Sequence, residues 1–255
     1  AGFGNIFNDQ RAQMGFQVGR SAVLAGSEAL EKSLNQYVSV SAIRYYFQVS
    51  NGYVIKKIGL ILFPWRHKHW TRTLTRNETP TGAVEGYETA KEDINAPDLY
   101  IPVMACTTYI LLSSLLSGLG GTFHPQKFGY FASKAFAFAF FELMIIKLGS
   151  YLLATQSPFL DFIAYSGYKF VGIIVNMIFG SFLFSSSITA RWGIFFYTFG
   201  ANAFFLLRSL KYVVLPDNIA SGTAHTLTSG QRQRRIQFLF VYSFFIQFAL
   251  MWFLS

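Results

Sequence analysis

The stretch AYSGYKFVGIIVNMIFG, Ala164 to Gly180, contains one charged residue, Lys169, among aromatic, small and aliphatic side chains. A helix needs about 20 predominantly apolar residues to cross a bilayer core, and this stretch lies within an apolar run over 159–184. A lysine in such a run either reaches the surface, which contradicts a membrane span, or is held inside by a partner. The fold class therefore depends on whether the rest of the chain supplies further spans and a partner for Lys169.

The composition is typical of a membrane protein with a polar first part. Of the 255 residues, 52% are hydrophobic and 13% are charged, whereas soluble domains average about 25% charged residues. Residues 1–100 hold 11 Lys/Arg and 9 Asp/Glu, and residues 101–255 hold 10 Lys/Arg and 3 Asp/Glu. This asymmetry predicts a polar region over 1–100 and a membrane domain over 101–255.

Some classes of function are disfavoured by the same composition. The sequence pI is about 9.6, but the basic residues cluster at the ends of apolar runs, where they act as topology signals. The single cysteine, Cys106, lies inside an apolar run, so neither a disulfide framework nor a Cys/His metal pattern is indicated. We predict no nucleic-acid partner, no metal site and no cofactor.

Five apolar runs are long enough to approach the thickness of a bilayer. They are continuous rather than alternating, which favours helices over a β-barrel. Short connections between most of them indicate antiparallel neighbours in a compact bundle. The sequence therefore predicts an all-α, polytopic membrane protein with five transmembrane helices, at about 102–119, 130–154, 159–184, 190–207 and 236–254.

The distribution of positive charge predicts the orientation, because cytoplasmic loops carry an excess of Lys and Arg. Two regions, 1–100 and 208–235, should therefore be cytosolic, with the C-terminus on the lumenal side. The sequon Asn77–Glu78–Thr79 should then remain unglycosylated. The basic residues on the cytosolic side are Lys56, Lys57, Arg66, Lys68, Arg72, Arg76, Lys91, Arg208, Lys211, Arg232, Arg234 and Arg235, against Lys127 and Arg191 on the other.

A partner for Lys169 is present in the preceding run. Glu142 is the twelfth residue of that run counted back from Leu153, and Lys169 is the eleventh residue of the next run counted from Phe159. Each charge costs roughly 2.5–3.5 kcal/mol at mid-bilayer, so two opposite charges at one depth on neighbouring helices indicate an ion pair. Two alternatives stay open: one side chain reaches the interface by extending along its helix, or both line a transport path.

The first forty residues show a seven-residue repeat, in which large residues alternate with small ones. The repeat predicts an amphipathic helix that either packs on the rest of this chain or docks a partner helix. Its large members are Phe16, Val23, Leu30 and Tyr37.

The stretch GYVIKKIGLILFPWRHKHW, Gly52 to Trp70, combines apolar bulk with basic residues and tryptophans. This combination is typical of a segment that lies at the level of the lipid headgroups. We therefore expect Lys56, Lys57, Trp65 and Trp70 to form a cytosolic surface for the membrane or for a partner.

The residues that follow are predicted as a connection and a helix start. Residues 73–93 are polar and indicate a loose linker. Asn95 and Asp98 have the spacing of a capping box, Pro97 suits a first helical turn, and Pro102 predicts a bend where the helix meets the membrane.

No enzyme is indicated by the motifs. A phosphate-binding glycine loop is missing from the sequence. Ser166 in Tyr165–Gly167 resembles a nucleophile turn, but His124 and His225 are predicted in loops on opposite faces. A serine–histidine relay needs the two side chains within hydrogen-bond reach, so we predict a non-enzymatic protein.

Three stretches resemble the YIF family (Yip-interacting factors): residues 37–70, DINAPDLYIP at 93–102 and AYSGYKFVG at 164–172. Leu206–Leu210 and the glutamate of the second run are also similar. The resemblance implies a five-pass membrane protein of the endoplasmic reticulum, its vesicles and the Golgi. It further implies a hetero-oligomer with a Yip-class five-pass protein, and links to COPII vesicle components and Rab-type GTPases.

Two functions are therefore expected in competition. The first is a membrane adaptor in transport from the endoplasmic reticulum to the Golgi, with Tyr165, Gly167, Tyr168 and Gly172 contacting the partner because small residues let helices approach closely. The same four residues could instead pack inside this chain's own bundle. The second function is a small transporter or ion-conducting bundle centred on Glu142 and Lys169.

Overall fold

Five long helices dominate the fold, which is known from a computed structural model. The structure describes residues 40–79, 82–121, 124–153, 158–183, 187–215 and 229–255. Within those ranges, five helices are long and apolar enough to cross a membrane, which confirms the predicted five-span, all-α class. The spans are Tyr100–Leu119, Pro125–Leu152, Phe159–Ser181, Ile188–Val214 and Ser229–Leu254, called the first to fifth spans below.

The fourth and fifth spans are longer than predicted. Arg208 and Lys211 lie inside the fourth helix, and Arg232, Arg234 and Arg235 inside the fifth, whereas the sequence placed them in a loop. Hydropathy underestimates the length of such helices because their terminal turns carry long basic side chains that reach polar surroundings. Helix formation therefore continues past the point at which the apolar run ends.

Two spans contain a local change of helix type. The third span consists of helices Phe159–Gly167 and Lys169–Ile178, followed by a π-helical turn at Phe179–Leu183. The fifth consists of helices Ser229–Val241 and Gln247–Leu254, separated by a π-helical turn at Tyr242–Ile246. A π turn bonds residue i to i+5, so it inserts about one residue and shifts the face that follows.

Outside the spans lie two shorter helices, α1 (Val40–Tyr46) and α2 (Asn51–Leu62). Ser50 caps α2, because its hydroxyl accepts the Tyr53 backbone N–H at 3.2 Å, and a 3-10 turn follows at Pro64–Arg66. The described residues from Tyr46 onward form one compact unit, and residues 40–45 belong to a second.

The direction of α2 differs from the prediction of a segment lying across the headgroup level. Lys57 of α2 lies beside Phe205 of the fourth span. At the other end of α2, the carbonyl of Leu62 accepts the hydroxyl of Tyr197 at 3.1 Å. Tyr197 and Phe205 are eight residues apart in the fourth span, a rise of about 12 Å along that helix. Because the two ends of α2 contact these two residues, α2 lies lengthwise along the fourth span.

Residues 73–93, predicted as a loose linker, contain a β-hairpin. Strands β1 (Leu74–Thr79) and β2 (Gly82–Tyr87) are antiparallel, with Leu74 opposite Tyr87 and Thr79 opposite Gly82. The Glu88 N–H donates to the Thr73 carbonyl at 3.1 Å and extends the ladder. Polarity alone did not distinguish this short two-stranded ribbon from a loop.

Residues 46–99 contact the end of the bundle where the third and fifth spans begin, and α2 extends from there along the fourth span. Asp161, near the start of the third span, bonds both the Tyr46 hydroxyl and the Arg72 guanidinium. At the same end Arg235 donates to the Val214 carbonyl at 2.9 Å and the Leu153 carbonyl at 3.1 Å, where the fourth and second spans finish. Unsatisfied carbonyls at helix ends are favourable acceptors for a cation.

Candidate functional site

A group of buried polar side chains, called the central cluster, joins three spans in the middle of the bundle. It consists of Glu142, Lys169, Tyr242 and Gln247, none of which is more than 2% exposed. The Lys169 ammonium contacts Glu142 Oε2 in an ion pair. Glu142 Oε1 accepts the Tyr242 hydroxyl at 2.7 Å and the Gln247 amide at 2.5 Å. The structure thus brings the two predicted charges together and gives the carboxylate two further donors.

The π-helical turn explains why two residues of the fifth span reach the same carboxylate oxygen. Tyr242 and Gln247 are five residues apart, and in a regular α-helix they would point about 140° apart. The turn at Tyr242–Ile246 bonds i to i+5 and thereby brings both onto one face. The helix irregularity therefore serves the central cluster.

The fourth span is attached more loosely to this cluster. The Asn202 amide donates to Gln247 Oε1 at 3.4 Å and approaches Met251 Sδ at 3.7 Å. One turn further along, the Thr198 hydroxyl donates to Asn176 Oδ1 at 2.8 Å, which links the fourth and third spans. Polar contacts thus connect all four spans after the first.

The chemistry of the central cluster favours a structural tie over a pathway. Both carboxylate oxygens and the ammonium are engaged by groups of this chain, and both charged side chains are removed from solvent. A buried pair is strongly destabilised when one partner is removed, because the other charge is stranded. Movement of an ion or proton would first require breaking these contacts.

A second group, called the junction cluster, connects α2 with the first and third spans. It consists of Tyr53, Lys57, Asp98 and Tyr168. Asp98 Oδ2 accepts the hydroxyls of Tyr53 at 2.9 Å and Tyr168 at 2.6 Å. The Lys57 ammonium donates to two backbone carbonyls of the loop before the first span, Ile94 at 2.7 Å and Ala96 at 3.0 Å.

Aromatic rings surround the Lys57 ammonium on the remaining sides. It lies 5.5 Å from the centroid of the Tyr168 ring and 5.7 Å from those of Tyr53 and Phe205. Such rings attract a desolvated cation through their negative faces. Lys57 therefore has its hydrogen bonds and its charge satisfied without reaching water.

Burial shifts the acid–base behaviour of this cluster. Loss of hydration lowers the pKa of Lys57 from 10.5 to about 8, and the nearby Asp98 and Asp93 carboxylates offset only part of that effect. Burial raises the pKa of Tyr53 well above its usual range, and the charge of Asp98 acts in the same direction. Tyr53 is therefore a permanent hydrogen-bond donor, whereas Lys57 loses its proton just above neutral pH.

The predicted helix-start motif has different roles from those expected. The first span begins at Tyr100, after Pro97, and Asp98 Oδ1 caps it by accepting the Ile101 N–H at 2.7 Å. Asn95 is no cap: its amide donates to the carbonyls of His69 and Thr71, both at 3.0 Å, and fixes the segment that returns from α2. Pro102 is the third residue of the span, within the first turn, where a proline removes no intrahelical bond.

The predicted cytosolic surface is divided between exposed and buried residues. Lys56 and Trp65 are exposed. Lys57 and Trp70 are buried, which corrects their assignment to a surface, because Lys57 enters the junction cluster and Trp70 packs against Phe205. Four further predicted residues lie outside the described ranges: Phe16, Val23, Leu30 and Tyr37.

The residues predicted to contact a partner in the bilayer lie inside this chain's own bundle. Tyr165 and Tyr168 are buried. A Cβ on Gly167 would lie 2.4 Å from Pro102 Cβ of the first span, and one on Gly172 would lie 3.3 Å from Met251 Cε of the fifth. The small residues thus let spans of one chain approach closely, so these four do not form a free surface.

Several residues of the two clusters, and Asn202 beside the central one, were not predicted from the sequence. Gln247 and Asn202 are amides inside apolar runs. A polar residue in such a run indicates a buried partner, as it did for Lys169, so both could have been predicted. Tyr242 and Tyr53 give no such signal, because the chain contains 14 tyrosines and the hydroxyl partner depends on the three-dimensional arrangement.

Comparison with known proteins identifies the family of this chain. A family model described as YIF1 matches residues 8–255. The chain belongs to the YIF1 family. It is 49% identical to "Protein transport protein yif1" of Schizosaccharomyces pombe, over 91% of this chain and 78% of the relative. It is also 34% identical to "Protein transport protein YIF1" of Saccharomyces cerevisiae, over 99% of this chain and 82% of the relative.

A more distant YIF1 relative is "Protein YIF1B" of Homo sapiens, 32% identical over 84% of this chain and 65% of its own length. No solved structure matches the chain. The relatives' names associate the YIF1 family with protein transport rather than with an enzyme class.

Proposed function

We propose that this chain is a non-enzymatic adaptor in vesicle transport between the endoplasmic reticulum and the Golgi. It forms a hetero-oligomer with a Yip-class five-pass membrane protein in the bilayer. The end of the bundle that residues 46–99 contact faces the cytosol, where its exposed groups engage Rab-type GTPases and COPII components. Membership of a transport-associated family supports this role.

The state of the buried charges is the structural observation that favours an adaptor over the alternative transporter. Glu142 and Lys169 are 0% and 1% exposed and are bonded to each other and to the fifth span. A transport site keeps its ionisable groups in a cavity that solvent or substrate can reach. The central cluster instead fixes the spans against one another, as a binding scaffold requires.

A surface for the partner must point away from the bundle, and the second span is the least buried of the five described spans. Only 22% of its most apolar stretch is buried, against 61% for the third span. Its exposed residues include Phe136, Phe140 and Met144, which recur every four residues and form a ridge that a second helix can pack against. We place the Yip-class partner on this ridge.

Co-purification in mild detergent tests both the function and the surface. The chain is expressed with a Yip-class five-pass protein, and the expected result is a stable complex. Phe136→Ala/Phe140→Ala/Met144→Ala should release the partner. A matched triple change on the exposed face of the fifth span, Phe240→Ala/Val241→Ala/Phe245→Ala, should retain it.

Two kinds of result would contradict the proposal, one for the function and one for the surface. If the wild-type chain forms no complex, the adaptor function is contradicted. If the second-span variant keeps the partner, or if the fifth-span control releases it as well, the assigned surface is wrong.

A further inference from the structure

A cavity of about 310 Å³ lies between α2, the 3-10 turn that follows it and the loop before the first span. Three nitrogen-bearing side chains line it: Lys56, Arg66 and His67. Its apolar wall is made by Leu60, Phe63 and Ile94. The cavity is separate from the central and junction clusters, and none of their side chains lines it.

Two cations at this cavity lack a counter-charge. Lys56 and Arg66 are exposed, and neither forms a salt bridge or side-chain hydrogen bond with any residue that the structure describes. No acidic residue is among the described residues that line the cavity. A concave site with two unpaired cations attracts an anion, and Arg in particular suits a phosphate.

His67, unlike Lys56 and Arg66, is held in place by a hydrogen bond to Asn95. The Asn95 amide nitrogen donates to two backbone carbonyls, so the Asn95 Oδ1 atom faces His67 Nε2 at 3.0 Å and accepts from it. The ring therefore contributes an edge of fixed orientation to the cavity. Lys56 and Arg66 remain as the groups free to bind a ligand.

The surroundings indicate that the anion belongs to the membrane. Ile55 and Trp65, on either side of the cavity in the chain, are 73% and 52% exposed. Lys57, next to Lys56, lies over Phe205 towards the basic end of the fourth span, and the Trp65 ring contacts Tyr197, further from that end. The cavity therefore extends from the polar end of the span towards its apolar middle. Basic side chains combined with exposed tryptophan and aliphatic residues are typical of a surface that binds headgroups above and acyl chains below.

We propose that this cavity binds the phosphate of a phospholipid, with Lys56 and Arg66 holding the phosphate and Leu60, Phe63 and Ile94 contacting the glycerol and the first part of the acyl chains. The Ile94 carbonyl also accepts from Lys57, so the bound lipid touches the same loop that holds α2 against the spans. This site does not depend on the proposed function.

The test uses the purified full chain in detergent and three short-chain probes. Dioctanoyl phosphatidic acid has phosphate and acyl chains, glycerol 3-phosphate has the phosphate alone, and dioctanoylglycerol has the chains alone. The apparent affinity is taken from the rise of the thermal unfolding midpoint with probe concentration. Only phosphatidic acid should stabilise the chain strongly, since it alone satisfies both the cations and the apolar wall.

A pair of matched variants then identifies the site. Lys56→Gln/Arg66→Gln should weaken phosphatidic acid binding by roughly 30-fold, which corresponds to about 1 kcal/mol for each cation near the headgroups. Lys68→Gln/Lys91→Gln removes the same charge from exposed positions that do not line the cavity, and it should change the affinity only a few-fold. Without probe, both variants should unfold close to the wild-type temperature because all four side chains are exposed.

Four results would overturn the proposal. Equal loss in both variants would mean that only net charge matters. Equal stabilisation by dioctanoylglycerol would mean that no phosphate is recognised, and equal binding of glycerol 3-phosphate would indicate a site for soluble phosphate. Unchanged phosphatidic acid binding in Lys56→Gln/Arg66→Gln would place the lipid elsewhere.

Discussion

Lys57 is a cation with its charge held away from water, and its protonation therefore affects stability. Its pKa is about 8 in the folded chain and 10.5 when unfolded. Between these values the unfolded chain holds a proton that the folded chain has released, so the contribution of Lys57 to stability rises with pH. It is constant only well below pH 8, where both states are protonated. Relative to Lys57→Met, the wild-type chain should gain roughly 2 kcal/mol between pH 7 and pH 9.5.

The measurement is the difference in thermal unfolding midpoint between wild type and Lys57→Met at each pH. Taking the difference cancels the titration of all other groups. A difference that stays flat or falls as the pH rises would contradict the assigned shift.

The coupling between Glu142 and Lys169 can be tested by comparing the two single substitutions with the double substitution. Glu142→Gln leaves Lys169 without a counter-charge, and Lys169→Met leaves the Glu142 carboxylate without its cation. Each single change should destabilise by about 3–5 kcal/mol, as expected for a stranded buried charge. The double change removes both charges and should be the least damaging of the three, as measured by thermal unfolding in detergent. Equal damage in all three variants would reject the coupling.

At the scale of elements, close helix contacts depend on glycine. Gly167 of the third span faces Pro102, whose Cβ and Cα would lie 2.4 and 3.2 Å from an added Cβ. Gly200 of the fourth span has no atom within 4 Å of an added Cβ. Gly167→Ala should therefore cost about 1–3 kcal/mol through overpacking.

Gly200→Ala is the control for that substitution. It should be neutral or stabilise by up to about 1 kcal/mol through better helix propensity. Thermal unfolding of the two variants compares the positions directly. A Gly167→Ala chain that is as stable as Gly200→Ala would show that the first and third spans are not in close contact.

The number and order of the spans followed from hydropathy, because a bilayer requires long apolar helices whatever their packing. Other elements did not follow. The β-hairpin has no apolar alternation strong enough to separate it from a polar loop, and the direction of α2 depends on aromatic contacts with Tyr197 and Phe205. The π turn in the fifth span could not be predicted from the sequence either, since a regular helix and one with an inserted residue fit the same apolar run.

At the scale of the whole molecule, the central pair could be predicted because span boundaries fix the depth of every residue. Glu142 and Lys169 were placed at one depth by counting along their helices. The junction cluster could not be predicted in this way. Lys57, Asp98 and Tyr168 come from separate parts of the chain, and the lysine had been assigned to the surface because an apolar segment with basic residues is usually interfacial.

The orientation of the molecule is tested by glycosylation. If residues 46–99 face the cytosol, the sequon at Asn77 remains unmodified in microsomes, whereas a sequon in a flexible tag fused after Ser255 receives a glycan. Digestion with a glycosidase followed by gel mobility measures both sites in one chain. A glycan on Asn77, with the tag unmodified, would invert the orientation.

The central claim is that the buried charges hold the bundle together and take no part in moving a solute. The most direct measurement is complementation of cells depleted of this protein by Glu142→Gln/Lys169→Met. Because the double variant keeps the spans together without charge, we predict that it restores vesicle transport while each single variant restores less. A double variant that folds and reaches the membrane but fails to restore transport would contradict the claim.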